Sequence, residues 1–263
     1  MRDCGAMSAL PDIPASLALV NYGHFTSMLL TAGRARGLAR HLERLNRDAW
    51  IVFGQGLDEG IVRQAIRAAV DGKTEPLAVR VTVHAPGFDP RKPEADVEPE
   101  VVVTTSAPPQ VGGPLKVRTA GYQRDLPQVK HVGTFGLFYQ RRLARRAGFD
   151  DVLFIGGDGQ VSEGSTWNVC FLDEDGTLVI PTAPALPGIA LGLIQSGLAR
   201  TGAQVQARPV QASELPSFRA AFATNALAPV RPISHVDEVE YKVDEDATAR
   251  LTRAYESTAG ERV

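Results

Sequence analysis

Apolar residues recur every three or four positions in two early stretches of the chain, and that spacing predicts helices. Leu38, Leu42, Leu45 and Ala49 fall on one side of a helix over 36–49, with Arg44 beside the apolar stripe. Ile61, Ala65, Ile66 and Ala69 do the same over 60–70. Elsewhere the pattern alternates. Leu17 to Leu30 reads as strand material broken at Asn21-Tyr22-Gly23-His24, with Gly33 turning it onward, and Leu77 to Val83 and Glu100 to Thr105 read as further strands. The Pro/Gly-rich run Ala107 to Pro114 reads as a hinge. Beyond it the spacing predicts a strand over 116–120 and a helix over 134–148 that Gly148 caps. Strands over 151–155 and 166–172 flank the turn Gly156-Gly157-Asp158-Gly159, and a strand over 177–180 follows. A helix entered through Leu186-Pro187-Gly188-Ile189 comes next, then strands over 205–210 and 220–223 and a closing helix over 244–255. The glycine cluster lies between strands and so reads as a hairpin turn, because a phosphate loop has to open a helix. The expected organisation is α+β: a loose tail over 1–14, a small α+β domain over 15–113 and a larger domain over 114–263.

Composition narrows the partners. At 263 residues the chain can bury a sizeable core. Its formal charge of -2 offers no clustered cations for nucleic acid or an anionic membrane, which points to a small-molecule partner. No apolar run approaches the ~20 residues that span a bilayer, and the stretch after Met1 lacks a basic region followed by an apolar segment, so a cytoplasmic protein is expected. Cys4 and Cys170 are too few for a disulfide framework, and Cys170 alternates with apolar residues as a core position would. No metal is expected.

Only five lysines are present, Lys73, Lys92, Lys116, Lys130 and Lys242, against a large excess of arginine. Lys130 lies in Gln128-Val129-Lys130-His131-Val132, and the strand-like run Val161 to Asn168 carries Glu163. That pairing suits a lysine held for Schiff-base chemistry and a carboxylate that keeps a pyridine nitrogen protonated. The amine has to be neutral to attack, which burial and a nearby cation favour.

Five segments in order carry a family resemblance: Phe25-Thr26-Ser27, His41-Leu42-Glu43-Arg44-Leu45, Val129-Lys130-His131, Glu163-Gly164-Ser165-Thr166-Trp167-Asn168 and Leu186-Pro187-Gly188-Ile189. With them the chain after Pro14 resembles the class IV (fold type IV) pyridoxal-phosphate enzymes, which include branched-chain and D-amino-acid aminotransferases and 4-amino-4-deoxychorismate lyase. The resemblance implies the two-domain α+β fold of class IV aminotransferases with pyridoxal 5'-phosphate between the domains. It implies that Lys130 holds the cofactor and then shuttles a proton, that Glu163 meets the pyridine nitrogen and that Arg44 grips the phosphate. Gly188 and Ile189 match the segment whose backbone N–H groups meet the phosphate at a helix start. Many relatives follow that pair with a threonine; Ala190 removes its hydroxyl and leaves Thr224 and Asn225 as candidates to replace it. Relatives build the site at a dimer interface, so a homodimer is implied.

The reaction is less determined. Within Phe222 to Pro232, aminotransferases of the family usually place a glutamate before the Pro-Val pair, whereas Asn225-Ala226-Leu227 is closer to the lyases. Phe25-Thr26-Ser27 and Lys130-His131 lean the same way. Both chemistries pass through an external aldimine and a quinonoid formed by Cα deprotonation. A lyase then eliminates pyruvate to give 4-aminobenzoate, and a transaminase reprotonates the cofactor and accepts a keto acid. The reading taken is an aminotransferase-type enzyme acting on an amino acid or related primary amine. The lyase is the first alternative, and a non-catalytic homologue, which the joint presence of Lys130, Glu163 and Arg44 opposes, is the second. Phe25, Thr26, Arg118, Arg124, His131 and Arg231 are candidate substrate contacts, the arginines for a carboxylate.

Overall fold

The computed structural model describes residues 15–263, so the expected tail over 1–14, with Cys4, lies outside the described residues. A short helix, α1 (Ala15–Leu19), precedes β1 (Gly23–Thr31). The expected strand from Leu17 to Leu30 is therefore corrected at its start, where Leu17 to Leu19 are helical. Asn21 turns the chain between them with φ 56°, a left-handed conformation that asparagine tolerates, while its N–H bonds back to the Leu17 carbonyl. β1 turns through Ala32 and Gly33, both at positive φ, into β2 (Arg34–Arg36). Helices α2 (Leu38–Phe53) and α3 (Glu59–Val70) and strands β3 (Leu77–His84) and β4 (Glu100–Ser106) follow. Met28, Leu30, Val79, Val81 and Val83 of the sheet bury against Leu38, Leu42, Leu45 and Ala49 of α2, so the apolar stripe lies where its spacing puts it.

The second sheet uses β5 (Leu115–Gly121), β6 (Asp151–Ile155), β7 (Val161–Gly164), β8 (Asn168–Leu172), β9 (Leu178–Pro181), β10 (Val205–Arg208), β11 (Ala220–Thr224), β12 (Arg231–Val236) and β13 (Val239–Glu240). Its order is β10-β9-β8-β11-β12-β5-β6-β7, and β7 also pairs with β8. That pairing closes six strands into a barrel and leaves those strands no open edge. Alternation then assigns the faces: Val169, Phe171, Ala221 and Ala223 fill the barrel with Leu153 and Trp167, while Cys170, Leu172, Ala220 and Phe222 pack outward with α5 (Ile189–Ala199) and α6 (Glu245–Glu256). Cys170 is a core residue, as expected, and burial pushes its thiol up to about 12. α4 (Phe135–Arg146) covers β6, and Gly148 follows it at φ 88°.

Two further differences from the sequence pattern matter for the site. The run Val161 to Asn168 is two strands, because Gly164 N–H bonds to the Trp167 carbonyl at 2.8 Å and reverses the chain. The Trp167 ring lies within 1.9 Å of where a Cβ on residue 164 would be, so glycine is needed there. The strand opposite β6 across the glycine turn is accordingly β7 rather than 166–172. Finally β14 (Gly260–Arg262) leaves the second sheet and pairs with β2, so the first sheet runs β14-β2-β1-β3-β4, antiparallel throughout, with residues from both ends of the described chain.

Candidate active site

A cavity of about 420 Å³ lies between the two sheets and is lined by Lys130, Glu163, Arg44 and Gly188 among others. Three contacts fix the backbone of the lysine. Phe25 N–H bonds to the Lys130 carbonyl and Val132 N–H to the Gly23 carbonyl, each at 2.9 Å, so residues 130–132 pair antiparallel with the start of β1. The Lys130 N–H donates to Asp48 Oδ2 at 3.0 Å. The amine stands 4.8 Å from the centre of the Phe25 ring. Burial, then the neighbouring Arg44 and Arg124, push it down to about 7, with Glu163 opposing and Arg80 adding to the shift. A substantial fraction of the amine is therefore neutral near physiological pH.

Glu163 is held on both oxygens. Oε1 accepts from Arg124 Nε at 2.9 Å and Oε2 from the Leu186 N–H at 3.1 Å. Each oxygen keeps a lone pair for a further donor. Arg124 also donates to the carbonyls of Val129, at 3.1 Å, and Pro127. The turn after Glu163 is braced by Asp151, which accepts from Ser165 Oγ, Trp167 Nε1 and Arg141.

Arg44, on α2, donates to Thr26 Oγ1 at 2.8 Å, and its buried Nε has no protein partner. Burial lowers it to about 10, with Asp48 opposing. Thr26 Oγ1 also lies 2.7 Å from His41 Nδ1. Burial, Arg44 and Lys130 hold His41 well below its ordinary value, so the ring is neutral. Next to Arg44 the helix α5 begins at Ile189 with no side chain capping it. A Cβ on residue 188 would stand 1.9 Å from Asn168 Oδ1, so a larger residue at that start would displace the amide that donates to the Leu186 carbonyl. A buried unpartnered guanidinium N–H beside free backbone donors at a helix N-terminus suits an anion such as phosphate.

Phe25, Arg124, His131, Ile189, Ala190, Asn225 and Arg231 also line the cavity. His131 Nε2 bonds to the Asp125 carbonyl at 2.9 Å, and burial lowers its pKa. Arg231 Nε donates to the Gly113 carbonyl at 2.8 Å. Three expected contacts lie elsewhere. Thr26 is fully buried on the core face of β1, behind Phe25, where it holds Arg44 rather than substrate. Thr224 is fully buried with its hydroxyl directed at the Asn168 carbonyl. Arg118 is exposed on β5 and outside the lining, because Leu115 and Val117 take the inward positions. Asp48, His41, Arg80 and Arg141 complete the surroundings without having been singled out in the sequence. Asp48 sits four residues after Arg44 on one helix face, and Arg80 is a charge inside an apolar strand; both were visible signals. Among the described residues, no His/Cys/Asp/Glu cluster could hold a metal and no helix is long and apolar enough to cross a membrane.

The amino-transferase class IV family matches residues 23–236. No curated protein matches the sequence. Among solved structures, a hypothetical aminotransferase from Mycobacterium tuberculosis superposes with a TM-score of 0.84 at 20% identity, covering 96% of this chain and 95% of that one. A fold IV-transaminase from Curtobacterium pusillum gives 0.81 at 24% identity, covering 97% and 93%. A protein from Legionella pneumophila provisionally assigned as a 4-amino-4-deoxychorismate lyase gives 0.81 at 18%, covering 95% and 97%. These superpositions establish the fold, and the family match spans the lysine, the glutamate and the start of α5. The chain belongs to the amino-transferase class IV family.

Proposed function

We propose that the protein is a pyridoxal 5'-phosphate-dependent aminotransferase-type enzyme that acts on an amino acid or related primary amine. One observation carries the reading: a single cavity holds a lysine amine lowered to about 7, a carboxylate fixed from two sides, and a buried guanidinium beside an uncapped helix start. The donor set fits the cofactor. Lys130 would meet its aldehyde, Glu163 its ring nitrogen, and Arg44 with the first N–H groups of α5 its phosphate. The Mycobacterium tuberculosis protein has been solved with pyridoxal phosphate and with α-ketoglutarate and pyridoxamine phosphate, which supports the reading.

When bound, the cofactor supplies an electron sink that acidifies the Cα–H of the substrate. The remaining work belongs to the chain. Lys130, near neutrality, accepts the proton from Cα and then holds it for return. Glu163 presents a carboxylate, anchored by Arg124 and the Leu186 N–H, to the ring nitrogen. Thr26 and the Pro187 carbonyl hold Arg44 in place for the phosphate. Phe25, Leu137 and Trp167 contribute apolar lining that limits water around the reacting carbon.

Purified protein reconstituted with cofactor is expected to show a visible absorption band that Lys130→Ala abolishes. A colourless wild type in excess cofactor would overturn the reading in favour of a non-catalytic homologue. Conversion of the bound cofactor to its pyridoxamine form by single amino acids then establishes transaminase competence and the handedness of the amine. The second reading, 4-amino-4-deoxychorismate lyase, is favoured by the Asn225-Ala226-Leu227 wall of the cavity. It requires pyruvate release from aminodeoxychorismate without added keto acid. We also take 107–114 as the division between two domains that hold the cofactor, and a homodimer as the assembly. The exposed stripe Phe135, Phe138 and Tyr139 on α4, of which Phe138 lines the cavity, supports the latter, and light scattering distinguishes one chain from two.

A further inference from the structure

We propose that Arg124 is a positioning residue: its guanidinium ties the Glu163 carboxylate to the loop that carries Lys130 and so fixes the two poles of the cavity against each other. The inference rests on the reading of Lys130 and Glu163 given above. Arg124 and Glu163 have side chains only 5% and 8% exposed, with Nε and Oε1 2.9 Å apart. The other two nitrogens of the guanidinium donate to the Val129 and Pro127 carbonyls, and Val129 is the residue before Lys130. All three nitrogens are thus engaged, and three of the five N–H donors are spent on protein acceptors. A loop arginine that reads as a substrate ligand is held by the protein on every nitrogen.

A planar fork is what the geometry demands. Three acceptors on two segments surround one side chain, and a lysine, as a point charge on a flexible stem, cannot span them. The same placement balances charge around the amine. Lys130 faces Arg44 and the neutral His41 from α2, Arg80 from β3, and the Arg124–Glu163 pair. Within that pair Arg124 disfavours protonation of the amine and Glu163 favours it. Removing Arg124 takes away a cation and at the same time leaves the carboxylate unmatched, so both changes act in one direction and raise the pKa of Lys130.

The test uses cofactor-free protein: lysines are reductively methylated with labelled carbon, and the Lys130 resonance, identified by its loss in Lys130→Arg, is titrated by NMR. Arg124→Met is expected to raise the midpoint of Lys130 by about one pH unit or more, roughly tenfold less neutral amine at fixed pH. Glu163→Gln is expected to lower it, and the double variant to return it toward wild type. Should Arg124→Met not fold, Glu163→Gln alone decides, since an unmoved midpoint there means the pair does not act on the amine. An Arg124→Met midpoint equal to wild type overturns the proposal. So does a raised KM for a carboxylate substrate with an unmoved midpoint, which would make Arg124 a substrate ligand after all. The titration needs no cofactor, so a protein that fails to bind pyridoxal phosphate sinks the proposed function while this measurement still reads the Arg124–Glu163 coupling.

Discussion

Lys130, His24 and His41 share a condition: each is a base that the interior holds below its ordinary pKa, chiefly through burial. For Lys130 the lowered value near 7 is useful chemistry and a thermodynamic cost. Unfolded, the amine titrates near 10.5, so between pH 10.5 and about 7 the unfolded chain binds more protons than the folded one. The stability present above that range is lost as pH falls through it. Lys130→Met removes the penalty while keeping an unbranched side chain. In cofactor-free protein at pH 7 it is expected to raise stability by on the order of 2 kcal/mol in urea titrations; a lower midpoint would mean the amine is not held against its charge. That Lys130, Glu163 and Arg44 would come together was legible in the sequence, and one cavity holds all three, because the expected chemistry restricts their residue types and the lysines are few. Arg124 was legible as a cavity residue but its ion pair was not, since the partner carboxylate lies 39 positions away and only the fold joins them.

At the level of elements, α5 carries two functions on one helix. Its first turn lines the cavity, and Gly197, two turns further on, lies against α6. A Cβ at residue 197 would stand 2.0 Å from the Ala254 carbonyl oxygen, which is backbone and has no flexible end to withdraw. Gly197→Ala is therefore expected to push the helices apart and cost roughly 1–3 kcal/mol in thermal unfolding. A neutral result would show that α6 shifts freely. Loss of cofactor affinity should accompany it, because α5 moves as a unit with its N-terminus. The helices α2, α3, α5 and α6 were readable from their apolar spacing. Strands β2, β13 and β14, two or three residues each, were not, because their existence depends on a pairing partner rather than on any local pattern. The division of Val161 to Asn168 into β7 and β8 escaped for a related reason: the reversal depends on Trp167 folding back over Gly164.

For the molecule as a whole, acid is the expected weakness. His24 is fully buried, neither ring nitrogen has a protein partner, and its pKa falls to about 3; His41 is lowered as well. Unfolded histidine takes a proton below 6.5, while the folded rings refuse it, so stability declines as pH drops from about 6.5 toward 3. His24 is expected to contribute up to about 1.4 kcal/mol per pH unit across that window, and His41 acts in the same direction. Urea midpoints measured from pH 7 to pH 4 check this, and His24→Leu should flatten the slope; an unchanged slope would show that His24 protonates in place. Two sheets and an α+β chain were foreseeable, but the closing of six strands into a barrel was not, since closure depends on the β7–β8 register. The return of β14 to β2 has its own consequence. Arg34 reaches the carbonyl of Gly260 across 226 positions, so during synthesis the amino-terminal sheet must wait, with the flank of β2 bare, until the entire barrel has left the ribosome. A nascent chain stalled before residue 260 would offer that flank to a neighbour, which makes late translational arrest a route to aggregation.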